Sequence, residues 1–178
     1  MIRLFAAIAA PAQIAEGLAR RQQGLPGARW RPAESLHITL RFFGPLPENQ
    51  ADDLDSELSA ISGARLEVAL MGAGVFGVGS DIHAVWAGVT QNEPLERLAK
   101  QCERAARRAS LPHERRAYRP HVTLAYLNDA AAAEVAAWVQ ANSLFKSPVF
   151  PVLRFGLYSS WLGVDGAVYR LERAYSLS

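Results

Sequence analysis

The chain has 178 residues, half of them apolar and 20% charged, with a formal net charge of +2 at pH 7. That balance fits one ordered globular domain or two small lobes sharing a core, and it implies no massive electrostatic footprint; a small anionic substrate or a short RNA is compatible. The single cysteine, Cys102, excludes an internal disulfide framework and any multi-cysteine metal site.

Residues 3–10 read as a first strand, not a signal peptide, because Pro11 interrupts the apolar run and a charged amphipathic stretch follows at once. Pro11 opens a helix striped by Ile14 and Leu18, which Gly24, Pro26 and Gly27 end. In LHITLRFFG, residues 36–44, period-two alternation predicts a strand with Leu36, Ile38, Leu40 and Phe42 on one face. His37, Thr39 and Arg41 then share the other face, with Phe43 on the same side. Leu54, Leu58 and Ile61 recur at helical spacing in PENQADDLDSELSAI, and residues 65–71 and 82–89 read as strands. The link between them, GAGVFGVGSD, lacks the lysine of a P-loop and the dinucleotide-binding glycine pattern, so its glycines are assigned to turns or a bulge. A helix is predicted over 93–110, with Leu95, Leu98, Cys102, Ala105 and Ala109 inside and its basic residues mostly solvated. YRPHVTLAYLN supplies another strand, and 129–141 a helix with Val135, Trp138 and Val139 inside. Residues 149–161 and 167–175 form a hairpin about GVDG.

LHITL and PHVTL share a histidine, one β-branched apolar residue, a threonine and a leucine. With the elements around them, they predict a diverged internal duplication over residues 1–178, in which two α+β lobes bring equivalent strands together. Imidazole and hydroxyl at i and i+2 point the same way from a strand, so two copies facing a cleft surround one small anion. Histidine titrates near neutrality and threonine donates to a phosphoryl oxygen without adding a full charge. One histidine then deprotonates water while the other protonates the departing ribose oxygen of a strained 2′,3′-cyclic phosphate. The residues alone leave open which histidine plays which part. Two histidines lack the third ligand of a catalytic zinc site, so no metal or other cofactor is expected. His83 and His113 lack the following threonine, and no nucleophile elbow supports a serine hydrolase.

These motifs resemble the two-histidine phosphoesterase superfamily, and within it the RNA 2′,3′-cyclic phosphodiesterases once named 2′-5′ RNA ligases. RLFAAIAAP, SLHITLRFFG, the GVFG segment with HAVWAGV, RPHVTLA and LYSSWLGVDGAVYRLERAYSL carry the likeness over nearly the whole chain. The resemblance implies a bilobal α+β fold with antiparallel sheets lining a central cleft and helices outside. It implies metal-independent hydrolysis of a terminal cyclic phosphate to a 2′-phosphate, with weak 2′-5′ joining as the reverse reaction. It assigns His37 as general acid and His121 as general base, with Thr39 and Thr123 binding phosphate. Many relatives read HVTLAR, where this chain has Tyr126. Arg41 and Arg119 are the candidates for the missing charge, and Phe43, Phe76, Tyr126 and Trp161 for base stacking. The departure at Tyr126 leaves small cyclic nucleotides or ADP-ribose-type cyclic phosphates as an alternative substrate class, and a noncatalytic RNA-end binding module as an alternative of another kind. The expected setting is a cytoplasmic monomer with no membrane and no obligate protein partner, acting on RNA ends or small cyclic nucleotides.

Overall fold

Strands form where polar and apolar residues alternate or β-branched residues cluster, and helices where apolar residues return every three or four positions. A computed structural model describes residues 1–164 and 166–178. The strands are β1 (Ile2–Ala9), β2 (Ala28–Trp30), β3 (His37–Leu46), β4 (Leu66–Val68), β5 (Leu70–Phe76), β6 (Ala84–Val89), β7 (His121–Leu127), β8 (Phe150–Val152), β9 (Arg154–Gly163) and β10 (Gly166–Ser176). The helices are α1 (Ala12–Ala19), α2 (Glu48–Ser59), α3 (Glu93–Arg108) and α4 (Ala132–Asn142). Much of the glycine-rich link is itself strand, because GAGVF continues β5. The short strand β2 was not visible in the sequence. The turn read at GVDG includes Asp165, which lies outside the described residues.

An eight-stranded antiparallel sheet runs β10-β9-β1-β3-β7-β6-β5, with β2 attached to β7, while β4 and β8 pair separately. The two halves therefore share one continuous sheet, joined at its middle by the single residue pair Ile38–Val122. That pair is short because β2 occupies the rest of the same β7 edge, from Ala28 opposite Leu127 to Trp30 opposite Ala125. Arg31 donates its backbone N–H to the Leu124 carbonyl at 2.8 Å, at the changeover between β2 and β3.

Ile38 and Val122 occupy the same place in the two His-x-Thr motifs. Antiparallel pairing of a motif with its own copy through that residue sets each histidine across from the other copy's threonine. His37 thus lies opposite Thr123, and Thr39 opposite His121. The two histidines fall on a diagonal, with Cα atoms about 7–8 Å apart.

One face of the sheet is covered by the helices. Ile38, Leu40, Val122 and Leu124 pack there with Leu18 of α1, Leu54 and Leu58 of α2, Leu95, Leu98 and Cys102 of α3, and Val135 and Trp138 of α4. The Asn92 side chain accepts from Leu95 N–H and caps α3, whose buried stripe includes Ala99, Ala105 and Ala106. No helix among the described residues is long and apolar enough to cross a membrane. The other face carries both motif histidines.

Simple alternation fails just beyond each motif. β3 slips against β1 so that Thr39 faces Ala7 while Arg41 faces Ala6, leaving Leu40 as an extra residue. β7 slips against β6 in the same way, with Thr123 opposite Trp86 and Ala125 opposite Val85, leaving Leu124 extra. A bulge of this kind sends the next side chain to the opposite face. Arg41 consequently turns toward the helices, Phe42 returns to the histidine face at 54% exposure, and Phe43 enters the core. Replacing Ile38 by Ala at the join should cost about 2–5 kcal/mol of unfolding free energy in a urea titration, because the methyl groups it removes are nearly fully buried.

Candidate active site

Both motif histidines are oriented by the same local bond. His37 Nδ1 lies 2.7 Å from the Ser35 carbonyl oxygen and His121 Nδ1 lies 2.6 Å from that of Arg119. A carbonyl only accepts, so each Nδ1 carries the proton and donates, which leaves each Nε2 as the working nitrogen.

Burial pushes the His37 imidazole down to about 4; its Ser35 carbonyl opposes this, and the positive charges of Arg31 and His121 add to it. Burial likewise lowers His121, with the Arg119 carbonyl opposing and the Arg119 guanidinium contributing. Both rings are therefore neutral at pH 7 in the free protein. Thr39 and Thr123 are half-buried beside them.

Aromatic side chains rise on both sides of this floor. On the His37 side the ring centroid of Phe5 is 5.0 Å from the imidazole, and Tyr169 meets it edge-on at 5.2 Å. Tyr158 and Phe42 pack against Phe5 at 5.5 and 5.6 Å. On the His121 side Phe76 lies edge-on at 4.6 Å and Trp86 at 6.0 Å. The Trp86 indole N–H is buried and has no acceptor among the described residues.

The structure thus brings His37, His121, Thr39 and Thr123 to one face, with Arg119 beside His121 and Tyr126 at the edge. It does not bring Arg41. That guanidinium donates through Nε to Glu103 at 2.5 Å and through Nη2 to the Pro112 carbonyl at 2.7 Å, and Glu114 lies 3.8 Å away. The bulge after Thr39 is the cause. Phe43 is likewise a core residue, and the exposed ring on the histidine face is Phe42. Trp161 is paired with Val168, on the β9 face opposite Tyr158 and Tyr169, so it also points away. Phe76 does reach the site. His113 is held by Glu103 at 2.6 Å, on the Arg41 side, and the exposed His83 has its Nδ1 3.0 Å from the Asp81 carbonyl. Cys102 is fully buried, and burial raises its thiol pKa strongly.

Among the described residues, no three His, Cys, Asp or Glu side chains gather to hold a metal ion. A cavity of about 560 Å³ lies between α1 and α4, lined by Arg20, Arg21, Trp138 and Asn142, but it gathers no acid–base pair. The two imidazoles stand instead on the sheet face away from the helices, half-buried among the aromatic rings.

Residues 9–160 match the family model described as the 2′-5′ RNA ligase superfamily. The chain belongs to that superfamily. It is 34% identical over 98 residues to an RNA 2′,3′-cyclic phosphodiesterase of Aeropyrum pernix, a stretch covering 54% of this chain and 56% of that protein. The chain thus spans about half the length of that relative. Against an RNA 2′,3′-cyclic phosphodiesterase of Archaeoglobus fulgidus it is 25% identical over 177 residues, covering 98% and 99% of the two chains. The solved structure of E. coli LigT complexed with 3′-AMP superposes with a TM-score of 0.81 at 27% identity, over 99% of this chain and 98% of that one.

In this member of the 2′-5′ RNA ligase superfamily, sequence reasoning missed Arg31, Phe42, Tyr158 and Tyr169. Arg31 stands six residues before His37 in GARWRP, and only the pairing of β2 with β7 carries it to the site. Tyr158 and Tyr169 arrive because β9 pairs with β1 and β10 with β9. In an NMR pH titration both motif imidazoles should protonate below the ordinary 6.5, His37 last as pH falls. Because the folded pKa of His37 is depressed, the folded state should lose stability as pH drops from 6.5 toward 4.

Proposed function

We propose that the chain is a two-lobed catalytic domain, derived from an internal duplication, that hydrolyses the terminal 2′,3′-cyclic phosphate of RNA to a 2′-phosphate without a metal. The single observation that carries this reading is the antiparallel self-pairing of the two His-x-Thr motifs, which puts two imidazoles and two hydroxyls on one face. The names of the relatives supply the substrate class.

Water attacks phosphorus opposite the 3′ oxygen, the P–O3′ bond breaks, and the 2′ ester remains. His121 takes the proton from water through Nε2 and His37 delivers one to the departing 3′ oxygen, following the assignment that the family resemblance implies. Thr39 and Thr123 donate to the non-bridging oxygens, whose charge is what in-line phosphoryl transfer must stabilise. Each proton transfer contributes at least about 10²-fold, so the pair lowers the barrier by about 5 kcal/mol or more. The anionic phosphate offsets the charge that Arg31 and Arg119 place on the imidazoles, and His37 takes up its proton as substrate binds. With the 5′-hydroxyl of a second RNA in place of water as the nucleophile, the same breakage of P–O3′ leaves a 2′-5′ diester, a weak joining of RNA ends.

A short RNA bearing a 2′,3′-cyclic end should yield a 2′-phosphate end in the presence of chelator, and no turnover by intact protein would sink the assignment. His37→Ala and His121→Ala should each lower turnover by at least about 10²-fold with the fold intact. A substrate with sulfur at the bridging 3′ position needs little leaving-group protonation and should rescue His37→Ala but not His121→Ala; the converse would exchange the two roles. Since a base works deprotonated and an acid protonated, and both free-state pKa values are lowered, kcat/KM should peak on the acid side of pH 6.5.

A further inference from the structure

Arg31 is 8% exposed, an unusual state for a guanidinium, and its surroundings explain how it is held. Its carbon Cζ lies 5.2 Å from the centre of the Tyr169 ring and 5.8 Å from that of Tyr126, which support the planar cation from two sides. Nη2 donates to the Ala167 carbonyl at 3.1 Å, the side-chain hydrogen bond that the described residues give it, leaving most of its five donors for another acceptor. A Cβ on Gly166 would meet Nη1 at 3.4 Å, an ordinary contact, so it is the φ of +117° that calls for glycine at the start of β10.

The Arg31 charge is felt by His37. Tyr169, which stacks with Arg31, also stands edge-on to the His37 ring. Arg31 is thus placed at the His37 end of the floor, as Arg119 is at the His121 end. No carboxylate pairs with Arg31 among the described residues. A buried cation with unused donors, adjoining an acid–base pair, is a site for an anion.

Position 126 faces the same region, since the Arg31 guanidinium rests on the Tyr126 ring. An arginine side chain growing from position 126 would reach the region that Arg31 reaches from β2, since Arg29 faces Tyr126 across the strand pair and Arg31 follows two residues on.

We propose that Arg31 is a phosphate-binding arginine of this site, entering from β2, and that it contacts a non-bridging oxygen of the terminal phosphate. The proposal rests on the phosphodiesterase reading for the identity of that phosphate. The β9–β10 hairpin acts as the outer brace of Arg31 through the Ala167 carbonyl and Tyr169.

The test uses inorganic phosphate, followed by NMR shifts of the histidine rings, alongside kcat/KM on RNA with a 2′,3′-cyclic end. Arg31→Met should weaken phosphate binding at least about 10-fold and lower kcat/KM by at least about 10²-fold. It should also raise the pH at which the His37 ring titrates, a shift that loss of packing alone would not produce. Adding Tyr126→Arg to Arg31→Met should recover at least about 10-fold of both losses, because the charge returns from the neighbouring strand. Arg97→Met, on the solvent side of α3, should change neither. Should Arg31→Met fail to fold, Arg31→Gln keeps a donor for Ala167 and takes its place. Phosphate binding equal to wild type in the folded neutral variant, or no recovery in the folded double variant, would overturn the proposal. Failure of wild type to turn over RNA while phosphate binding still depends on Arg31 would sink the phosphodiesterase reading and leave the anion site standing.

Discussion

The chemistry of this protein depends on one pairing, Ile38 against Val122. Because these residues hold the same place in two copies of one motif, their antiparallel contact acts as a local two-fold axis. Everything one copy offers is met by its counterpart. Histidine lies across from threonine twice, and the two histidines share one face on a diagonal. Parallel pairing, or a slip of one residue, would place like beside like or send one imidazole into the helix-covered core. The strands that follow α2 and α4, β4 and β8, also pair antiparallel with one another.

Around that axis the electrostatics are built by exclusion of water. Aromatic rings on both flanks remove solvent from the imidazoles, and carbonyls two residues upstream fix which nitrogen bears hydrogen. Two arginines then set a positive field along the floor. A low-dielectric, positive surface favours neutral imidazole in the free protein. The ion pairs that brace the scaffold are kept elsewhere. Arg41, Glu103 and Glu114 form their own network against α3, where it secures the 113–116 segment.

The two bulges explain why part of the site could be read from sequence and part could not. Up to Thr39 and Thr123, period-two alternation holds, and the residues it assigns to one face are found there. One residue later each strand inserts an extra position, and alternation then assigns the wrong side to Arg41 and Phe43. A bulge leaves no reliable mark in a single sequence when the inserted residue is leucine, as it is at both Leu40 and Leu124. The basic helix face on α3 also behaves as its charge pattern indicates, with Arg97 bonded to Glu93 and Arg108 to Glu57.

The sequence by itself determined the repeated motif, the helices, most of the strands and the two histidines that share a sheet face, because these follow from local periodicity and from residue types doubled in one chain. Tertiary structure alone decided which strands share an edge. That choice brought Arg31 to the site through β2, set Tyr158 and Tyr169 beside His37 through β9 and β10, and gave Arg41 to the scaffold. Contacts between residues far apart in the chain arise from loop closure and strand registry, and no local pattern of side chains encodes them.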